Sequence, residues 1–194
     1  MKNRVILTLS LLLLSLCCPS AAWCQLVAVD KPEFRSVYNL AMQCPEQVEY
    51  VLHSYDIGNV KREPAWLFVN DVRDPRAVST HYDYNQSGFD RGHLCPAQDR
   101  SFALTAMKAT FGMSNICPQV PSVNRGSWKR TEIACRQLAQ RHDSITIVVV
   151  PLFLKRDTTY IGRHHLAVPH AFIKAAWLPA SDEVVGCWLV FNHK

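Results

Sequence analysis

The chain has 194 residues, 48% hydrophobic and 19% charged, with 21 basic and 16 acidic side chains and a formal net charge of +5. That length excludes a chain too short to build a core and fits one compact domain. The mild basic excess is compatible with a polyanionic partner, but it falls short of the extreme that would imply one.

The chain opens with Lys2 and Arg4, followed by a nearly unbroken apolar run from Val5 to Cys18 and the small residues Ser20, Ala21 and Ala22. The run is too short for a comfortable membrane span and reads as a secretory leader over residues 1–24, cleaved after Ala22 or after Cys24. Losing Lys2 and Arg4 lowers the formal charge from +5 to +3. The expected location is therefore secreted or periplasmic, with no stable membrane association once the leader is gone. Residues 25–47 read as an N-terminal arm, irregular from Leu26 to Cys44, and residues 48–194 as the main folded domain.

Val48 to Tyr55 and Trp66 to Val72 are rich in β-branched and aromatic residues and predict strands. Between them, Asp56 to Pro64 carries Gly, Asn and Pro and predicts a hairpin link. Asp74 to Gly88 predicts a polar surface loop, Ser101 to Thr110 a short helix, and Thr110 to Asn115 a returning strand. Pro118 to Asn124 reads as a loop and Ser127 to His142 as a helix with apolar residues spaced among charged ones. Ser144 to Leu154 is the clearest strand, with a valine run that suggests burial on both faces. Leu166 to Leu178 and Val184 to Asn192 supply further strands. No internal repeat or low-complexity tract appears. Strands outnumber helices and no long crossover helices separate them, so the fold class is α+β with a mostly antiparallel sheet.

Export would place the cysteines in an oxidising compartment. Cys44, Cys95, Cys117, Cys135 and Cys187 remain beyond the leader, with Cys24 as a sixth if cleavage precedes it. One or two disulfides are expected, with Cys135 and Cys187 as partners. No CxxC occurs and the His-x-Cys at 93 to 95 is isolated, which argues against structural zinc. His164, His165 and His170 lack a carboxylate at metal spacing and read as strand and loop residues.

The most informative stretch is Asp90-Arg91-Gly92-His93, taken together with Asn124 and Glu132. It supplies a proton acceptor beside a cation, then an uncharged oxygen ligand and a carboxylate. Metal-assisted phosphodiester hydrolysis needs that set. His93 is the candidate general base, since a neutral imidazole near pH 7 takes a proton without keeping it. The amide oxygen of Asn124 is a hard donor suited to Mg²⁺, although an Asn just before a helix is also a favoured N-cap. Trp128, Glu132 and Arg136 follow Asn124 at steps of four, so in a regular helix all four project from one side. Trp128 reads as packing that anchors the helix. Glu132 orients water or nearby arginines, or else forms a surface pair with Arg136. Arg91 offers a fork that matches phosphate oxygens, and Asp90 holds the loop by pairing with an arginine. Arg73, Arg76, Arg100 and Arg125 could extend an electropositive groove.

The run Gly88-Phe89-Asp90-Arg91-Gly92-His93-Leu94-Cys95-Pro96-Ala97 with Asp99-Arg100 resembles the signature of the DNA/RNA non-specific endonucleases, the sugar-non-specific branch of the ββα-metal nucleases. Phe111, Met113-Ser114-Asn115, Pro118-Gln119, Asn124-Arg125-Gly126, Trp128 and Glu132 follow in that family's order and spacing. Val168 to Lys174 looks like its late strand. The resemblance runs from about Val48 to Asn192. It implies a central sheet flanked by helices, with the site on a β-β-α unit. It makes Asn124 the metal ligand rather than only a cap, Arg136 a site arginine and Asn115 a supporting polar residue. It also implies Mg²⁺, or another divalent ion such as Mn²⁺, DNA and RNA as substrates, 5′-phosphate products and a possible homodimer. Contacts to the nucleic-acid backbone would give little sequence preference.

Three rivals stand beside this expectation: a nucleic-acid-binding protein of the same fold without catalysis, a hydrolase of another phosphodiester, and a cell-surface protein alike in fold only. Two departures from the family pattern are visible. The chain stops at Lys194, soon after the last strand, where many relatives continue, which bears on dimerisation and the outer sheet. Thr131 stands before Glu132 where an apolar residue is usual, which bears on helix packing.

Overall fold

The computed structural model describes residues 25–63, 68–154 and 157–193. Six strands form one antiparallel sheet: β1 (Leu26–Asp30), β2 (Arg35–Asn39), β3 (Cys44–His53), β6 (Ser144–Leu152), β9 (Ala171–Trp177) and β10 (Val184–Phe191), in that spatial order. A separate hairpin pairs β4 (Asp90–His93) with β5 (Ile116–Gln119), and β7 (Tyr160–Ile161) pairs with β8 (Leu166–Ala167). Among the described residues the α-helices are α1 (Leu104–Ala109) and α2 (Lys129–His142). The fold is α+β and mostly antiparallel, and the order β4, β5, α2 is the expected β-β-α unit. Among the described residues no helix is long and apolar enough to cross a membrane.

Alternation along the strands decides where the core sits. Val48, Tyr50 and Leu52 of β3, Ile145, Ile147 and Val149 of β6, and Phe172 and Ala176 of β9 turn to one face and are buried. Trp128, Cys135 and Ala139 close that face from the helix side, in one cluster with those residues. Val148 and Val150 on the opposite face stay only half-buried, so β6 is sealed on one side rather than both. Thr131 is buried without strain on this packing, because its hydroxyl donates to the Trp128 carbonyl at 2.8 Å.

Several elements differ from the sequence expectation. The stretch from Leu26 to Cys44 is not irregular but supplies β1 and β2, with a register from Leu26↔Asn39 to Asp30↔Arg35. Its strand pattern is hidden by short length and by charged ends. Of the strand expected at 66 to 72, Trp66 and Leu67 lie outside the described residues, and Val69 makes only an isolated bridge to Gly112. The polar run at 74 to 88 contains a short 3₁₀ turn, His81–Tyr84, with Asp83 and Tyr84 buried. Met113–Asn115 is likewise a 3₁₀ turn, and the strand begins one residue later. Among the described residues Cys135 and Cys187 are free thiols, as are Cys44, Cys95 and Cys117. Cys135 lies on the buried face of α2 whereas Cys187 faces solvent on β10, so the expected bridge is not made.

Candidate active site

The chain enters α2 through a wide π-type turn, Val123–Trp128, that ends where the regular helix begins. Such turns interrupt the i→i+4 ladder and recur at functional sites. The turn lies along β4 and is fastened to it at both ends. At the Asp90 end, Asn124 Nδ2 donates to Asp90 Oδ2 at 2.9 Å, while the Arg125 guanidinium grips both Asp90 oxygens at 2.9 and 2.7 Å. At the His93 end, Trp128 Nε1 donates to the His93 carbonyl at 3.0 Å. Asp90 therefore holds the loop by pairing with an arginine, and Trp128 is a packing anchor, its ring tilted against Phe172 in the core at a centroid distance of 5.2 Å. Burial raises the Asp90 pKa, but the Arg125 and Asn124 hydrogen bonds outweigh it and leave the carboxyl below its ordinary range.

These contacts orient two acceptors. An ionised carboxylate accepts only, so Asp90 fixes which end of the Asn124 amide faces it. The Oδ1 oxygen is left without a hydrogen-bond donor among the described residues. On His93 the Arg91 backbone takes one ring hydrogen bond, and Nε2 is buried with no partner among the described residues. A ring whose Nδ1–H is given to a carbonyl presents a bare lone pair at Nε2. Phe111 and Phe68 hold the ring at centroid distances of 4.9 and 5.5 Å. Burial chiefly, and then the Arg62 charge, lower its pKa to about 3, against the opposing effect of the ring N–H donated to the Arg91 backbone carbonyl.

Arg91 lies on the same side of β4 as His93, its guanidinium over Tyr84 at 5.4 Å and Phe68 at 5.8 Å. It donates through Nε to the His81 carbonyl at 3.1 Å and through Nη2 to Asn85 Oδ1 at 2.9 Å. Asn115 is fully buried and holds the exit from β4: it accepts from the Cys95 amide at 2.8 Å and donates to the Cys95 and Thr110 carbonyls at 2.8 and 2.9 Å.

Glu132 and Arg136 do not pair with each other. Arg136 Nη1 reaches Asp99 Oδ1 at 2.7 Å, and Tyr50 donates to the other Asp99 oxygen at 3.1 Å. Glu132 turns inward from α2, and burial above all pushes its pKa up to about 7, with Lys174 opposing the rise and Asp99 adding to it. The wide turn sets Asn124 out of phase with these later positions, which is why the steps of four do not lie in one regular row. Of the four further arginines, Arg73 is exposed, Arg76 pairs with Asp74 and Arg125 with Asp90. Arg100 does not extend a groove: it is buried and bonded to Asp56 at 3.1 Å. His164 is paired with buried Asp83 at 2.9 Å, so a carboxylate is supplied by the fold. Among the described residues no group of three or more His, Cys, Asp or Glu side chains is arranged to hold a metal ion.

Arg62, which no sequence motif marks, sets its guanidinium 4.7 Å from the Phe111 ring centroid and acts on His93. In a polar link with Gly, Asn and Pro it carried no signal beyond that of a solvated cation.

The model of the DNA/RNA non-specific endonuclease family matches residues 22–187. The chain belongs to that family. It is 32% identical over 177 residues to the mitochondrial nuclease EXOG of Xenopus laevis, covering 76% of this chain and 49% of that protein. It is 38% identical over 112 residues to human mitochondrial endonuclease G (53% and 38% covered) and 47% identical over 128 residues to mitochondrial nuclease 1 of Schizosaccharomyces pombe (60% and 40% covered). The chain thus spans half or less of these relatives' length. Among solved structures it superposes on EndoG in the EndoG/EndoGI complex with a TM-score of 0.77 at 24% identity, covering 86% of this chain and 74% of that one, a likeness of fold.

The mitochondrial names of these nucleases overturn the secreted or periplasmic location expected from the leader. The first 24 residues lie outside the described residues. A basic leader without acidic residues is also what a transit peptide presents, so that pattern did not separate the two. With the location goes the oxidising compartment that motivated the disulfide.

Proposed function

We propose that this member of the family is a divalent-metal-dependent endonuclease that hydrolyses DNA and RNA with little sequence preference and leaves 5′-phosphate ends. The observation that carries the reading is the double fastening of the π turn to β4, which leaves His93 Nε2 and Asn124 Oδ1 as two acceptors without protein donors. A hard neutral oxygen with no carboxylate cage fits Mg²⁺, which keeps most of its waters; Mn²⁺ fits the same donor. When bound at Asn124, the ion would supply charge to the scissile phosphate and the leaving 3′ oxygen.

His93 Nε2 takes the proton of a water that attacks phosphorus in line with the leaving 3′ oxygen. Arg91 and Arg62, both against Phe68, present guanidinium charge beside the imidazole. In this reading they meet the transition-state phosphate. Glu132 orients water or the arginines from the inner side. Arg136, committed to Asp99, and Asn115, committed to Cys95, keep the supports in place. Backbone contacts of this kind predict binding that weakens with salt. A homodimer is compatible with this chemistry and not required by it. The test is digestion of DNA and RNA by the purified protein with and without EDTA, with His93→Ala alongside. Cleavage that survives EDTA, or is undiminished in His93→Ala, removes the proposed mechanism.

A further inference from the structure

Lys174 lies on β9, fully buried, and its Nζ has no hydrogen-bond partner among the described residues. The ammonium stands 4.3 Å from the centroid of the Trp128 ring. One helical turn beyond Trp128, on the same side of the helix, comes Glu132, and such residues are surface neighbours along a helix. Its carboxylate receives no hydrogen bond from the described residues and feels the Lys174 charge. The other charges that act on Glu132 are Asp99 from the turn after β4, and Arg136 and Lys129 from α2 itself. Arg136 is already bonded to Asp99, and Tyr50 of β3 closes the remaining Asp99 oxygen. Lys174 is thus the buried cation left without an anionic hydrogen-bond partner of its own, and a buried charge is retained where a counter-charge compensates it.

We infer that Lys174 is a positioning residue: the fixed counter-charge of Glu132, acting on the reaction through that carboxylate without touching substrate. The catalytic part of this role rests on the nuclease reading; the Lys174–Glu132 coupling does not.

The experiment separates the two. In metal-free protein carrying ¹³C-labelled glutamate, the Glu132 carboxyl is titrated by NMR in the wild type, Lys174→Met and Lys174→Arg. Removing the cation should move the Glu132 midpoint upward by about one pH unit or more, and Lys174→Arg should leave it near the wild-type value. With DNA as substrate, Lys174→Met should lower kcat with little change in KM and move the acid limb of the pH profile up in step. In a Glu132→Gln background the same substitution should add less than about a twofold loss, as expected for residues acting as one unit. An unmoved Glu132 midpoint in Lys174→Met, or an equal loss of kcat in both backgrounds, overturns the inference. If Lys174→Met fails to fold, Lys174→Gln carries the same readouts. If the wild type cleaves nothing, the nuclease reading falls while the titration still decides the coupling.

Discussion

His93 shows how a residue's surroundings select its role. A lone histidine is more often structural, but this one packs against both Phe68 and Phe111 with its Nε2 unpartnered among the described residues, and burial holds its pKa down to about 3. It stays neutral through the physiological range, so its own protonation should not set the acid limb of activity there. His93→Ala should lower kcat by about 10²–10⁴-fold, measured as plasmid nicking under saturating Mg²⁺. Asn124 is tested differently, because its loss weakens a ligand rather than a base. Asn124→Ala should raise the Mg²⁺ concentration needed for half-maximal cleavage, and activity unchanged at low Mg²⁺ would count against it as the ligand.

At the scale of elements, the site depends on β4 keeping its place against β5 and the π turn. Gly92 pairs with Cys117 in that hairpin, and a Cβ there would fall inside the buried Gln119 side chain. Gly92→Ala should destabilise by about 1–3 kcal/mol through overpacking, read by chemical denaturation. Asn115 works on the other end of β4. Asn115→Ala strips the Cys95 amide and two carbonyls of their partners in a buried turn. We expect a cost of about 3 kcal/mol, since unsatisfied buried groups cost about 1–3 kcal/mol each. A Cys95 amide that stays protected from hydrogen exchange in that variant would contradict this account.

Across the whole molecule, stability should carry the mark of Glu132. Its folded pKa of about 7 lies above the ordinary carboxylate value, so the native state holds this proton more tightly than the unfolded chain. The stabilisation is full below the unfolded value of about 4.3 and is lost as pH rises through the folded pKa. Melting temperatures of wild type and Glu132→Gln between pH 5 and 8 should therefore diverge, with the variant losing less as pH rises. The thiols give a second global reading. Cys44, Cys95, Cys117 and Cys135 are buried and Cys187 is exposed. Of these five, only Cys187 should react with a bulky thiol reagent before unfolding.

Local chemistry was legible in the chain itself. The Asp90–His93 run, Asn124, the strands at 144 to 154 and 184 to 192, and the helix ending at His142 all have neighbours in sequence that carry their signal, whether periodicity or motif spacing. What depended on distant partners was not legible. The β1 and β2 strands are stabilised by pairing into a sheet, the π turn by fastening to β4, and Arg136 by an Asp99 that lies 37 residues away. Arg62 and Lys174 read as ordinary cations until the fold set one beside His93 and sealed the other over Trp128. Sequence determined which chemical groups were present and their local spacing; tertiary structure decided which charges were buried together, because burial and pairing are set by contacts that no local window contains.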